Sequence, residues 1–418
     1  MRRRSKQLMM GIGVPLLAAA RARADDIGFA HETYNEDKGR MSVQTESFRV
    51  HTTIAPWMDF TFRGVYDGIS GATPIGAPAI DQLKLVNPHT HTPVPPSTIT
   101  GFASPLDAVS GASSVSQATP QNVVPLAQSA DIRRGIDLST GLTFGPHHIV
   151  PQFSYSKESD YVSYSGAINY SLDLNDKNTT LNVGWSHSYD EVLPTDFTYI
   201  HNRQILNSDD FLFGVSQILG PRTLLSANAT IGHANGYLND PYRSVVFQEA
   251  SLDPNARVIL AGEKRPSTRD SQALLLTLTQ GVPAANASVE GTYRIYHDSY
   301  GILANTVGVA WFQKFGHIAV VSPSFRYYRQ SAAHFYDIQF PGDPTNDPAH
   351  VPSFYSSDYR LSFMETATVG LEANITLHEH WDLHLGYHRY WMHGLDHQTL
   401  QSTYPNANIY TIGLNFSW

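Results

Sequence analysis

Short segments in which apolar and polar residues alternate recur along the chain from Met41 to Trp418. In Ser163–Leu174, the tyrosine, isoleucine and leucine side chains fall on one face, and most of the serine, asparagine and aspartate side chains fall on the other. Successive side chains of a β-strand point to opposite faces, so each such segment predicts a strand with one apolar and one polar face. Because this alternating pattern is uniform along the chain, it favours one all-β domain over the two or three soluble domains that 418 residues would otherwise suggest.

The lengths of the connections separate a membrane barrel from a soluble β-sandwich. The pattern predicts about sixteen strands, and tight turns follow the even-numbered ones. The long connections all follow odd-numbered strands: 71–130, 194–208, 237–269, 331–359 and 394–407. A sandwich has no reason to sort its loops in this way, whereas short periplasmic turns and long extracellular loops are typical of bacterial barrels. We therefore predict a single transmembrane antiparallel β-barrel in the cell outer membrane.

The first 24 residues have the features of a secretory signal peptide. A basic start is followed by the apolar run Leu8–Ala20 and by the small residues Ala22 and Ala24, so we expect residues 25–418 to form the barrel. The chain has 28 basic and 37 acidic residues, and six of the basic ones lie in the first 24, so the mature chain carries a net charge of about −15. This balance argues against nucleic-acid binding. The chain has no cysteine, which excludes disulfides and thiol chemistry.

The end of the chain is a further strand with regular alternation. Its apolar positions are Tyr410, Ile412, Leu414, Phe416 and Trp418. An aromatic last residue on such a strand resembles the signal that the barrel-assembly machinery binds as an added strand. The sequence therefore predicts two partners, namely outer-membrane lipid and the barrel-assembly machinery.

Two stretches, Asp67–Pro74 and Ser156–Asp190, together with the final strand, resemble the bacterial family catalogued as domain of unknown function 3570. The resemblance covers nearly all of the mature chain. It implies an outer-membrane location and a barrel, and it implies no activity. The resemblance also implies a context, because members of that family look like neighbours of periplasmic flavin-transferase and thioredoxin-like proteins. Periplasmic redox proteins are therefore candidate partners.

Charged residues on the polar faces of the strands are candidates for a selectivity zone. Strand parity assigns the following residues to the lumen: Arg49, Asp59, Arg63, Arg133, Asp137, Glu290, Arg294, Arg326, Glu372 and Asp382. Opposed charges set the local field in a narrow pore. The alternative is an ordinary charged lumen, which any barrel of this size has, and the mixed signs predict no ion preference.

Loop 71–130 and the histidines offer two further hypotheses. The loop is rich in Pro, Ser, Thr, Ala and Gly, and it either folds into the lumen and constricts it or extends over the surface. His378 and His380 lie two residues apart at a strand end, so they are weak candidates for a metal site. The other histidines at tight turns belong to different hairpins.

Three classes of function remain compatible with these patterns. The favoured one is a pore for small polar solutes, because sixteen strands leave room for an aqueous lumen. The second is a scaffold barrel of an extracytoplasmic flavin and thiol redox assembly, with a plugged lumen. The third, an enzyme, has the least support, since the sequence has no phosphate-binding loop, dinucleotide fingerprint or metalloprotease motif. We accordingly predict neither a catalytic residue nor a cofactor.

Overall fold

The computed structural model describes residues 25–76, 85–86, 93–94, 124–193, 202–248, 258–345 and 347–418. The signal peptide proposed for residues 1–24 lies outside this set. Within the described part of the chain, no helix is long and apolar enough to cross a membrane. Its helical elements are short 3₁₀ turns: Asp37–Gly39, Pro283–Ala285, Pro348–His350, Tyr359–Leu361 and Gln401–Thr403.

Sixteen long strands form one closed antiparallel barrel, as the alternation predicted. Each strand pairs with its neighbours in sequence, and the last strand pairs with the first. The strands are β1 (Asp26–Glu36), β2 (Met41–Ala55), β3 (Met58–Pro74), β4 (Leu126–Phe144), β5 (His147–Lys157), β6 (Tyr161–Leu174), β7 (Thr179–Val192), β8 (Gln204–Gly220), β9 (Thr223–Gly236), β10 (Thr268–Val282), β11 (Ala287–Asp298), β12 (Leu303–Phe315), β13 (Ala319–Gln330), β14 (Met364–His378), β15 (Trp381–Gly394) and β16 (Ala407–Ser417). The closure abolishes the free sheet edges on which open sheets aggregate.

The two ends of the barrel differ in the lengths of their connections. At one end, called here the turn end, every connection is a tight turn of two to four residues, and Asn175 and Asp176 take left-handed φ values of 51° and 54° in one of them. All the long connections lie at the opposite, loop end. The longest is shorter than predicted, covering 75–125 instead of 71–130, because β3 and β4 remain paired as far as Pro74 and Leu126.

The two faces of the barrel wall differ in chemistry. Large apolar side chains point outward and are exposed, as Val183, Phe213 and Leu371 are at 48%, 48% and 52%. The residues between them point inward and are mostly Ser, Thr, Asn, Gly and charged residues. Antiparallel partners share a face, so the register of all sixteen pairs carries this division around the barrel. An apolar outer belt around a polar interior is the pattern of a membrane barrel.

Two of the long connections fold together over the loop end and form what we call the cap. It consists of the described residues of 237–267, between β9 and β10, and of 331–363, between β13 and β14. Three short strands, Val258–Gly262, Ser244–Gln248 and Phe340–Pro341, form a sheet in that order, with the last pair parallel. Both connections were predicted from the sequence as loops, so this sheet is a correction.

Apolar clusters fix the cap to itself and to the wall. Val245, Phe247, Phe340 and Tyr355 form its own core. A second cluster joins the cap to the loop ends of β11 and β12; it consists of Tyr300, Ile302, Ala304, Ala333 and Leu361. The third places Tyr359 of the cap against inward side chains of the wall, namely Tyr34, Tyr328, Met364, Tyr390 and Met392. Tyr359 therefore lies inside the mouth of the barrel.

Candidate functional site

The ten charged candidates all lie on inward-facing positions of the wall. The strand register places each candidate opposite another inward residue. Arg63, for example, is opposite Asp137, and Glu372 is opposite Ser322. All ten belong to β2–β4, β11 and β13–β15, and none belongs to β5–β10. They thus occupy one side of the lumen, which the closure of β16 on β1 makes continuous.

Most of these charges have polar or aromatic partners on their own or a neighbouring strand. Arg49 pairs with Asp26 at 2.8 Å, and Arg133 pairs with Asp67. The remaining contacts are those of Glu372 with His388 at 3.1 Å, Asp382 with Thr376 at 2.8 Å, Glu290 with Thr279 at 3.3 Å, and the rings of Tyr296 and Tyr328 beneath Arg294 and Arg326. Arg49 and Arg133 therefore do not need a loop to enter the lumen and satisfy them.

The opposite side of the lumen, formed by β5–β10, is largely uncharged. Its inward residues in the middle of the strands include hydroxyl and amide side chains such as Gln152, Ser165, Asn169, Ser186 and Thr277, and one carboxylate, that of Asp210 opposite Ser186. The lumen therefore has a wall with many charges facing a polar wall with few. Such a surface can exchange hydrogen bonds with a hydrated solute without holding it by a strong charge.

Polar inward side chains lie over glycines of the adjacent strand, an arrangement we call glycine seats. Asn169 lies over Gly184, so a Cβ built on that glycine would collide with the Asn169 amide oxygen. Five more seats have the same form: Asn228 over Gly214, Asp210 over Gly232, Asp59 over Gly141, Thr292 over Gly308 and His388 over Gly370. A side chain that lies along the wall in this way does not project across the lumen.

The cap contains a buried network of three arginines and three carboxylates that the sequence analysis did not single out. Its members are Asp240, Arg243, Glu263, Arg265, Asp358 and Arg360, and none of their side chains is more than 13% exposed. Arg265 contacts Glu263 at 2.7 Å and Asp358 at 2.8 Å, and the Arg360 Nε donates to Asp358 at 2.8 Å. Since the charges balance, their mutual attraction offsets the cost of removing them from water.

Asp358 is the centre of this network. Burial alone would raise the pKa of its carboxyl group, but the guanidinium groups of Arg360, Arg243 and Arg265 hold that pKa well below its usual range. Burial raises the pKa of Glu263, although Arg265 opposes the shift. The network therefore remains ionised at Asp358 under any physiological condition.

Arg243 connects this network to the barrel wall. Its side chain is fully buried, lies 5.5 Å from the centre of the Tyr359 ring, and donates to Thr73 Oγ1 of β3 at 3.4 Å. The backbone N–H of Ser244 donates to the carbonyl of Ile75 at 2.7 Å. The cap is thus held to the wall at β3 as well as at β13–β16.

The outer surface of the cap carries an open cleft of about 510 Å³. Its lining is mainly aromatic, with Tyr300, Phe335, Tyr336, Phe340 and Phe354, and His334 and Asp337 supply polar groups. This volume falls in the range of small-molecule sites.

The two histidines proposed as weak metal candidates lie beside each other at the turn end. The ring centres of His378 and His380 are 6.2 Å apart, and His380 Nδ1 contacts the Ser417 carbonyl at 2.7 Å. Among the described residues, the group with ligand atoms within 4.8 Å of one another is Asp131, Glu158 and Asp160 at the loop end. The sequence analysis did not select these carboxylates, and such acidic groups are common without a metal.

The hypothesis that loop 71–130 enters the lumen falls mainly on residues outside the described set, namely 77–84, 87–92 and 95–123. Its two ends are described and lie side by side, since the Ile75 N–H donates to the Pro125 carbonyl at 3.1 Å. In the described part of the mouth, the cap is the covering element. The sequence carried one signal for it: 237–269 contains arginines and acidic residues, and 331–359 contains four aspartates.

Solved structures with a similar shape have low sequence identity to this chain. They include CdiB from Acinetobacter baumannii, with 8% identity, a TM-score of 0.48, and coverage of 95% of this chain and 60% of that one. A bacterial polysaccharide outer membrane secretin has 7% identity, a TM-score of 0.44, and coverage of 94% and 98%. The loop-deleted OmpT, an outer membrane protein of Vibrio cholerae, has 9% identity, a TM-score of 0.40, and coverage of 95% and 99%. None of the curated proteins matches the chain.

A protein-family model also matches the chain. The family model described as protein of unknown function, DUF3570, matches residues 14–417, which is nearly the whole chain. The resemblance stated from Asp67–Pro74 and Ser156–Asp190 is therefore confirmed, and the chain belongs to the DUF3570 family.

Proposed function

We propose that this barrel is a pore of the bacterial outer membrane for small polar solutes. The observation that carries the proposal is the set of six glycine seats, in which inward polar side chains lie along the wall. A barrel meant to be filled by its own side chains would instead direct bulky residues across its axis. Sixteen strands also leave room for an aqueous path.

The outer surface supports the membrane location. The outward side chains form a belt of exposed Ile, Leu, Val and Phe, which would be unstable in water and is stable in lipid. Turns of two to four residues at one end and long connections at the other match periplasmic and extracellular sides respectively. In this orientation the cap faces the outside of the cell.

The cap makes the proposed pore selective by size. Tyr359 and its neighbours occupy part of the mouth, and the two polar walls of the lumen lie below them. A solute would therefore pass the cap first and then a polar lumen in which both charge signs are present. We expect passage of small hydrophilic molecules with weak discrimination by charge.

The test is single-channel conductance of the purified protein in planar bilayers. The double variant Gly184→Val and Gly214→Val removes two glycine seats and forces Asn169 and Asn228 off the wall. We expect its conductance to be lower than that of the wild type by roughly a third, because the displaced side chains narrow the path.

The matched control is Gly166→Val on the adjacent strand. Gly166 points outward and has nothing within 4 Å of its Cβ position, so conductance should not change. The pore would be refuted if neither the folded wild type nor the folded Asp358→Asn variant, whose cap is loosened, conducts. Equal conductance of the seat variant and the control would refute the role of the seats.

A further inference from the structure

A row of outward-facing residues crosses eight neighbouring strands near the loop end of the barrel. Each member is the register partner of the next on β1 to β8: His31, Glu46, Tyr66, Arg134, Lys157, Val162, Glu191 and Ile205. Towards the turn end the outward neighbours include Phe29, Phe48 and Ile136, all exposed and apolar. Towards the loop end, β1 and β2 present Thr33 and Gln44. On β1 and β2, the outward residues therefore change from apolar to polar at this row, although Ile132 on β4 is exposed beyond it.

Two cations stand side by side in the middle of this row. Arg134 and Lys157 are direct partners on β4 and β5, and both side chains are exposed. Like charges directly opposite each other destabilise an antiparallel pair. An anion bound between them would remove that repulsion.

The carboxylates of the same row contact other side chains. Glu46 contacts His31 at 2.7 Å, and Glu191 contacts Arg203 at 2.7 Å. Each of them is also two strands away from the nearer member of the cation pair. The row therefore supplies no carboxylate that neutralises Arg134 and Lys157.

Tyrosines, which are enriched where lipid headgroups meet the hydrocarbon, surround the pair. Tyr66 is the register partner of Arg134, and Tyr155 precedes Lys157 on the same outward face. The rings of Tyr155 and Tyr164 are 5.2 Å apart between centres. Aromatic side chains with a polar group are enriched at this interface, which is where lipid phosphates lie.

We propose that Arg134 and Lys157 bind the phosphate of an anionic lipid in the outer leaflet. A guanidinium can donate two parallel hydrogen bonds to phosphate oxygens, and a lysine ammonium adds a compact positive charge. Neighbouring strands are about 4.8 Å apart, so one phosphate can contact both side chains. The inference requires that the barrel lie in a membrane and does not depend on its conducting solutes.

The test is native mass spectrometry of the purified barrel with added diphosphorylated lipid A. The double variant Arg134→Gln and Lys157→Gln should lower the bound fraction by about tenfold or more, since it removes charge-assisted hydrogen bonds to the phosphate. The control variant Lys177→Gln and Lys314→Gln removes the same charge from the turn end and should bind like the wild type. Heat-modifiable migration of both variants would show that each barrel is folded.

Each outcome decides the proposal. Lipid A without phosphate should bind the wild type as weakly as diphosphorylated lipid A binds the double variant, and inorganic phosphate at equal concentration should not displace the lipid. Undiminished lipid A binding by the double variant would overturn the site. Equal binding of the phosphate-free lipid would overturn the role of the phosphate. Displacement by inorganic phosphate would assign the pair to a free anion instead of a lipid.

Discussion

The barrel wall and the cap are stabilised in different ways. The wall consists of sixteen strands whose every partner is the next strand in sequence, apart from the closure of β1 on β16. The cap combines two segments about 95 residues apart in sequence, 237–267 and 331–363, and its centre is a buried network of six charged side chains. The wall therefore depends on a repeated pattern, whereas the cap depends on individual residues.

This difference predicts where single substitutions act. A change in the wall matters according to the face on which it lies, because the ladder of backbone hydrogen bonds is shared by many residues. A change in the cap network matters according to the partner it leaves unpaired, because a buried charge without a counter-ion is costly.

The largest expected effect is an all-or-none difference in access between the two ends. The chain has no cysteine, so a single introduced one is labelled without background. Ser353→Cys in the cap should react with a membrane-impermeant maleimide on intact cells. Arg222→Cys in the turn between β8 and β9 should react only after the outer membrane is opened. The reverse pattern would invert the orientation of the barrel.

The next largest effect concerns the cap network. Asp358→Asn leaves three buried arginines with two carboxylates, and we expect the cap to lose about 3–5 kcal/mol of stability. Proteolysis within 331–363 should become fast, while the barrel itself stays resistant. Asp347→Asn is the control, because its carboxylate is 56% exposed and pairs with His350 at the surface. Equal protease resistance of the two variants would contradict the role of the network.

The wall should respond to the face of a substitution. Phe213 points outward in the belt and Leu212 points inward, and the two are neighbours on β8. Phe213→Arg should destabilise the folded barrel by about 2–4 kcal/mol, since its charge would enter lipid. Leu212→Arg should cost much less, because its side chain enters the polar lumen. Urea unfolding in lipid vesicles measures both, and similar losses for the two would contradict the assigned faces.

The smallest expected effect is that of mild acid on the cap. The pKa of Asp358 lies well below its usual range. The stability that its carboxylate provides is therefore lost only when the pH falls below the pKa of an ordinary aspartate, about 3.9. The pKa of Glu263 is raised by burial, so its protonation as the pH falls favours the folded cap. Protease resistance of the cap should be unchanged between pH 7 and about pH 5. A marked rise in cleavage over that interval would show that another group controls the cap.

The wall was predictable from sequence because its information is local. Alternation along each strand is enough to assign Phe213 to the outward face and Arg63 to the inward face, and turn residues such as Gly145 and Pro146 mark the ends of strands. Strand number, closure and the inward positions of the ten charged candidates follow from that pattern. Their role in selectivity remains a prediction.

The cap was not predictable because its information is distributed. Arg265 and Asp358 contact each other although 93 positions separate them, and nothing in the spacing of either segment indicates the partner. The glycine seats were missed for a similar reason. In a sequence, a glycine within a strand indicates only a weak strand position. The side chain that covers Gly184 belongs to the neighbouring strand, so the pair is not visible in the local pattern.

The glycine seats also constrain how this family can diverge. Each seat ties a residue on one strand to a position on the next, so neither can change size alone without the other moving into the lumen. Related sequences should therefore show paired replacements: where Gly184 has become alanine or serine, position 169 should hold a smaller residue than asparagine. Seats would then appear in an alignment as covarying pairs on neighbouring strands, and their loss would mark members whose inner diameter differs.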